Sequence, residues 1–376
     1  MLTATVLTAM AMLLGTPPDY TGLLDSDWLV KPVRTPVTVE KPDDGPEIVM
    51  DNGLIRRTFR LQPNAATVAL DNLMTGQSML RGVKPEARVT IDGVSFDIGG
   101  LRGQPNYAYL LDAWKDGLTA DPNAWRLSGY EVGEPVPRFP WKRVRHCADL
   151  PWPPPGASLT MKYTPPEHDI ASPLTGVTVA VHYEMYEGVP LMSKWLTIHN
   201  GSDRPIRLNR FTSEILAMVE YESHVENYQR WNVPNIHVES DYTFGGMNGL
   251  VANHTTYWER DPEYLTQVSY PRENPCLLES RPPLGPDLNI APGQTFESFR
   301  TFELIFDSTE RERKGLTLRR MYRTIAPWIT ENPIMMHVRR ADPNSVRLAI
   351  DQCAEVGFEM VIMTFGSGFN LENEDP

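Results

Sequence analysis

The sequence predicts a mainly β fold: a large antiparallel β-sandwich, then a linker helix, then the incomplete start of a (β/α) barrel. Three observations carry this prediction. Apolar and polar residues alternate along the strands, as in Val177, Val179, Val181, Tyr183 and Met185 against Thr178, His182 and Glu184, the pattern of a strand with one buried and one wet face. Turn signals separate such runs, among them Asp92-Gly93, Asn200-Gly201-Ser202-Asp203 and Pro292-Gly293. The period then changes to helical at Leu318, Met321, Tyr322 and Ile325, and a strand-helix-strand pattern follows over residues 333–365.

Residues 1–46 read as a leader. Residues 2–14 are apolar with Ala9 and Ala11 in A-x-A spacing, which resembles a secretory signal, yet no Lys or Arg precedes Lys31, where such a signal carries positive charge. Export to a secreted or periplasmic location therefore stays open. Pro17, Pro18, Pro32, Pro36, Pro42 and Pro46 make the rest of the leader an extended lead-in.

The sandwich is assigned residues 47–306. Short strands are expected at 55–61 and 67–70, a hairpin at 89–96 around Asp92-Gly93, and two successive hairpins across 177–211. Residues 102–170 differ, carrying Trp114, Trp125, Trp141 and Trp152 among many prolines. Such a stretch supplies few regular ladders, so its aromatics either cover the sandwich or form a ligand surface. Residues 220–249 are a second irregular stretch, with Trp231 and Gly245-Gly246. Trp195 lies inside a strand and is expected in the core.

A long strand, 295–306, closes the sandwich. Residues 307–332 form the linker helix, with Asp307 and Glu310 as an N-terminal capping pattern and Pro327 as the stop. Residues 333–376 are read as the truncated beginning of the barrel. They comprise a strand at 334–336, Asp342 as N-cap, Pro343 at the first helical position, a helix face of Val346, Ala349, Ile350 and Cys353, Gly357 as terminator, and an apolar strand at 358–365. That last strand is apolar enough for burial on both faces, as in a parallel sheet covered by helices. A complete eightfold barrel takes about 250 residues, so the chain is expected to represent the N-terminal part of a larger protein.

A formal charge of −13 opposes a nucleic-acid partner, which needs a concentrated basic surface. Cys147, Cys276 and Cys353 are too widely spaced for a paired metal motif and do not settle the compartment. The histidines form no short-spaced pair, so no metal site is expected, and no cofactor motif is present. No stretch after the leader reaches the run of about 18 apolar residues needed to span a membrane. The oligomeric state is not legible.

The sequence of elements, with the residues Ala291-Pro292-Gly293-Gln294-Thr295-Phe296 through Glu303, Tyr322-Arg323 and the strand after Pro333, resembles the α-galactosidase and raffinose synthase class of glycoside hydrolases (family 36-like). The resemblance implies a mutarotase-like supersandwich, a barrel that cleaves or transfers a glycosidic bond through two aspartates, and an oligosaccharide or glycoside as substrate. Those aspartates lie on later barrel strands, so no catalytic residue is assigned in this chain, and residues 1–376 alone are expected to be inactive. One departure is plain. Where the class carries a paired-Asp, Gly, Trp motif, this chain reads Met363-Thr364-Phe365-Gly366-Ser367-Gly368-Phe369-Asn370, which implies a neutral sugar clamp with Arg339 and Arg340 nearby.

Barrel sites sit at the C-terminal ends of strands, which makes His337, Arg339, Thr364, Ser367 and Asn370 the candidate substrate-binding residues. Trp231 joins them as a loop aromatic able to stack on a sugar face, as do Trp125, Trp141 and Trp152. The bland alternative is a tight βα turn, an edge histidine and tryptophans that cover the sandwich. Carboxylate pairs such as Glu214 with Glu220 or Glu239 with Asp241 are expected to be solvated surface groups. The rival function is a non-catalytic carbohydrate-binding or structural β-sandwich.

Overall fold

The protein is described by a computed structural model, which covers residues 27–31, 35–42, 45–143, 149–166, 174–220, 232–242, 255–267, 271–329, 333–364 and 366–368. Antiparallel sheets dominate it. A five-stranded sheet runs in sequence order through Thr38–Glu40, Glu47–Asp51, Ile55–Arg60, Ala66–Asn72 and Gln77–Ser78. A seven-stranded sheet is ordered Arg126–Gly133, Gly156–Thr164, Val177–Tyr186, Leu191–Asn200, Thr301–Ile305, Ile236–Ser240, with Thr295–Glu297 also paired to Leu191–Asn200. Two four-stranded sheets complete the sandwich. One holds Pro286–Ile290, Ile206–Thr212, Ala87–Ile91 and Val94–Ile98, the other Thr256–Glu259, Leu277–Ser280, Glu214–Met218 and Leu80–Gly82.

One apolar core draws on all four sheets, including Ile48, Phe59 and Leu70, Val181, Leu196 and Ile198, Val89 and Leu208, and Leu216 and Leu278. The alternation read from the sequence sets these faces: Val177, Val179 and Val181 are buried while Thr178, Ala180 and His182 are half-buried. Asp92 and Gly93 take φ of 50° and 81°, the left-handed pair that a two-residue hairpin turn requires. The second of the two hairpins expected across 177–211 does not form: after Asn200-Gly201-Ser202-Asp203 the chain leaves the seven-stranded sheet, and Ile206–Thr212 pairs with Pro286–Ile290 and Ala87–Ile91. The expected closing strand is interrupted. At Ser298 the hydroxyl accepts the Leu196 N–H at 2.9 Å, so a side chain replaces one rung of the ladder and the strand resumes at Thr301.

The helix Arg311–Ile325 buries Met321 and Ile325 against Tyr186, Leu191, Phe302, Leu304 and Phe306 of the seven-stranded sheet. Two expectations fail here. Tyr322 is 39% exposed, its hydroxyl donating to Glu239 at 2.7 Å. The helix has Glu310 as N-cap without a side-chain bond, because Asp307 instead accepts the Trp28 indole N–H at 2.7 Å and the Arg313 guanidinium at 2.9 Å. Part of the leader thereby docks on the helix, with Trp28 buried.

The last unit is a parallel pair, Met335–Val338 beside Met360–Met363, joined by the helix Pro343–Val356. Its ends follow the sequence: the Asp342 carboxylate accepts the Ser345 N–H at 3.0 Å, and Gly357 closes the helix at φ 86°, where a left-handed residue without Cβ is favoured. Ala349 and Cys353 are buried, but Ile350 is 50% exposed. The second strand is shorter than expected and half-buried instead of buried on both faces, since among the described residues one helix and one neighbouring strand cover it.

Asn52 shows how the sheets are locked. Fully buried, it donates to the Tyr186 and Val189 carbonyls, both at 2.8 Å, and accepts from Leu54 and Ile55 at 3.0 and 2.9 Å. A buried polar group left unpaired costs about 1–3 kcal/mol. Asn52→Ala strands several, so urea denaturation is expected to show a loss of about 3 kcal/mol or more; a loss below about 1 kcal/mol would mean water replaces the amide.

Candidate functional site

The parallel unit brings its strand ends together. The Thr364 N–H and hydroxyl both donate to the Val338 carbonyl, at 3.0 and 3.2 Å, and the Ala341 N–H donates to the Ser367 carbonyl at 2.9 Å. Burial alternates along the first strand, with Val338 buried and His337 exposed, and Arg339 follows in the bend just past its end. His337 and Arg339 are both open to solvent, while Thr364 and Ser367 are half-buried. Four of the six candidates thus gather at one edge, presenting an imidazole, a guanidinium and hydroxyls, with the exposed Asp342 carboxylate beside them capping the following helix. Asn370 and Trp231 lie outside the described residues, as do Gly245-Gly246.

A second polar face lies on the outside of the seven-stranded sheet. The rings of His182 and Trp195 stack at 4.8 Å and 11°, and the Arg300 guanidinium lies 3.9 Å from the Trp195 ring centroid. Arg300 pairs with Glu184 at 3.0 Å, and the other Glu184 oxygen accepts the Val136 N–H at 2.9 Å. Next to them is a cavity of about 10 Å³ lined by Arg138, Trp152, Glu184, Tyr186, Arg300 and Phe302 among others, room for about one water molecule. Trp152 packs edge-on against Trp328 at 5.1 Å, and Trp141 and Phe139 complete that group.

Electrostatically this face is built for holding, not for proton transfer. Burial, then the charges of Arg300 and Lys162, push His182 down to about 4. Its two ring nitrogens meet the Thr160 and Thr197 hydroxyls at 3.0 and 2.8 Å. Glu184 and Asp241 are taken up by Arg300 and Arg138, the latter pair at 3.3 Å. Alternation had placed His182 and Glu184 on the wet face; Glu184 is buried because the chain after Arg126–Gly133 crosses over it. Arg300 carried no sequence signal.

The tryptophans divide. Trp125 is fully buried in the core and cannot meet a ligand; Trp195 is 7% exposed. Trp114, by contrast, stacks with Tyr107 and Tyr109 at 5.5 and 5.7 Å, and the two tyrosines are 46% and 50% exposed.

Glu214, expected at the surface, is instead fully buried beside Arg57, Lys194, Glu86 and Glu303. Parity carries the missed signal: Arg57 stands between Ile55 and Phe59, and Lys194 between Met192 and Leu196, all core residues.

No protein-family profile matches the chain, and no curated protein does. Among solved structures, it is similar to the α-galactosidase of Lactobacillus brevis at 12% identity and TM-score 0.45, over 86% of this chain and 49% of that one. The family GH36 α-galactosidase AgaB of Geobacillus stearothermophilus is similar at 11% identity and TM-score 0.46, over 88% and 50%. AgaA of the same organism, solved with raffinose, is similar at 11% identity and TM-score 0.43, over 85% and 50%. The chain spans about half the length of these proteins.

His182 supplies the test of the outer face. Its depressed value means that it contributes stability fully present above its ordinary 6.5 and lost as pH falls toward about 4. An NMR titration is expected to show the His182 imidazole neutral at pH values where free imidazole is half protonated; a midpoint near the ordinary value would show that the ring is solvated.

Proposed function

We propose that the chain is the N-terminal portion of a carbohydrate-active enzyme of the α-galactosidase-like glycoside hydrolase class, acting on an oligosaccharide or glycoside. In this reading residues 47–306 are a supporting sandwich, 307–332 the linker and 333–376 the start of the catalytic barrel, with the two catalytic carboxylates supplied by later strands. One observation carries the reading: the parallel pairing of Met335–Val338 with Met360–Met363 across a helix, directly after a helix packed on the sandwich. Parallel sheets are built with both faces covered. Here Ile334, Leu348, Ile350 and Val356 are each at least half exposed, as the first unit of a barrel would be before its neighbours close on it.

His337, Arg339, Thr364 and Ser367 then stand where barrel enzymes bind substrate, at the C-terminal ends of strands, and Asn370 and Trp231 are proposed with them. With the Asp342 carboxylate engaged in capping the helix, this edge would grip a sugar by neutral hydroxyls and by Arg339. Neutral hydrogen bonds are roughly half as strong as charge-assisted ones, so a sugar that itself bears a carboxylate gains most from the guanidinium.

A second reading, carbohydrate binding by the sandwich itself, is favoured by the solvent-facing stack of Tyr107, Tyr109 and Trp114. Aromatic faces of this kind suit the C–H face of a sugar.

The test is to sequence the transcript beyond codon 376 and assay the protein it encodes on nitrophenyl α-galactoside and nitrophenyl uronides. Further βα units with Asp or Glu at strand ends, and hydrolysis that residues 1–376 lack, are expected. Absence of such units would sink the enzyme reading. Glycan binding by residues 1–376 that Trp114→Ala abolishes would favour the second.

A further inference from the structure

The centre of the sandwich holds charge where apolar side chains are expected. Arg57, from Ile55–Arg60, approaches Glu214 at 2.7 Å, Glu303 at 3.3 Å and Glu86 at 3.6 Å. Lys194, from Leu191–Asn200, approaches Glu214 at 2.7 Å and Glu86 at 3.5 Å, and donates to the Glu86 carbonyl at 2.5 Å. The Tyr183 hydroxyl and the Thr67 N–H donate to Glu86, Thr67 also receiving Arg57 at 2.8 Å. Tyr163, from Gly156–Thr164, is the remaining titratable group beside them. All five charged side chains are at most 1% exposed.

We infer that Glu214 and Glu303 hold one proton between them in the folded protein, carried by Glu303, and that the cluster is a pH-sensitive clamp on the sandwich. Two cations face three carboxyls, and an uncompensated charge in a dry interior costs several kcal/mol. One retained proton makes the cluster neutral. The geometry says which carboxyl retains it. Both Glu214 oxygens accept from cations, whereas Glu303 receives Arg57 on Oε2 alone, and its buried Oε1 has no donor. An ionised Oε1 would be an orphaned anionic oxygen; a protonated one becomes the donor that Glu214 can accept. The expected titration agrees. Burial, then the neighbouring Glu214, push Glu303 well above the ordinary carboxyl range, while Arg57 and Lys194 hold Glu214 well below it against the effect of burial.

The signs define a window. Glu303, raised, contributes stability that is complete below its ordinary 4.5 and lost as pH rises through its folded value. Glu214, depressed, contributes stability present above 4.5 and lost as pH falls. Between these limits the clamp is neutral and fully bonded.

The experiment compares urea unfolding of the full chain and of Glu303→Gln from about pH 5 to about pH 8. Glutamine mimics the protonated acid and cannot ionise. The variant is expected to fold, and the ratio of wild-type to variant unfolding constants is expected to rise about tenfold per pH unit until Glu303 ionises in the native state. Infrared spectra at neutral pH are expected to show a protonated-carboxyl stretch in the wild type that the variant loses. A pH-independent ratio, a variant that fails to fold or is weaker at every pH, or identical carboxyl absorption would each overturn the proposal.

Discussion

The constraint on which this fold depends is the burial of Arg57 and Lys194. Each is fully enclosed, and neither can be desolvated at tolerable cost without carboxylates in place. Those carboxylates come from elsewhere: Glu214 from Glu214–Met218, Glu303 from Thr301–Ile305, and Glu86 from the residue before Ala87–Ile91. The five-stranded sheet, the seven-stranded sheet and both four-stranded sheets therefore meet at one point. Apolar packing alone would tolerate sliding of one face over another; a cluster of directional bonds admits one register. The apolar shell around it, with Phe59 and Tyr183 at 4.7 Å and the guanidinium 5.0 Å from the Tyr183 centroid, excludes the water that would weaken those bonds.

The outer face of the seven-stranded sheet solves a different problem. A strand face that would be wet is covered by the Arg126–Gly133 extension, by the Trp152 and Trp328 group and by the helix Arg311–Ile325. Polar groups caught beneath find partners: Glu184 takes Arg300, the Tyr186 hydroxyl and a backbone N–H. The helix serves both sides, packing Met321 and Ile325 on the sheet while Arg313 holds Asp27 of the lead-in at 2.7 Å. The parallel unit that follows pairs its two strands and packs them on its own helix, and leaves His337 and Arg339 open to solvent.

Much of the architecture was legible in the chain because it rests on local rules. Period-two alternation marked Val177–Tyr186, Asp92-Gly93 marked a hairpin, and Asp342, Pro343 and Gly357 marked the ends of a helix. Each depends on one residue's own backbone preference or on the face to which it points. Where a local signal met a competing tertiary partner it misled: Asp307 looked like a cap but serves Trp28 and Arg313, and Tyr322 looked like core but reaches Glu239.

The sequence by itself determined the class of fold, the hairpins at Asp92-Gly93 and across Val177–Asn200, the two longer helices and the parallel pair that follows them, since these follow from spacing and turn chemistry along a contiguous stretch; it did not show that the turn at Asn200-Gly201-Ser202-Asp203 carries Ile206–Thr212 into another sheet. Glu214 was expected at the surface, and the inward parity of Arg57 and Lys194 is plain only once Ile55, Phe59, Met192 and Leu196 are seen in the core. Only the tertiary structure decided that Arg57, Lys194, Glu214 and Glu303 converge, that Trp125 is core while Trp114 is half-buried beneath two exposed tyrosines, and that Thr364 and Ser367 adjoin Val338 and Ala341. The reason is physical: parity and propensity are properties of neighbours in sequence, whereas charge compensation joins Arg57 to Glu303 across 246 positions, and nothing local records that distance.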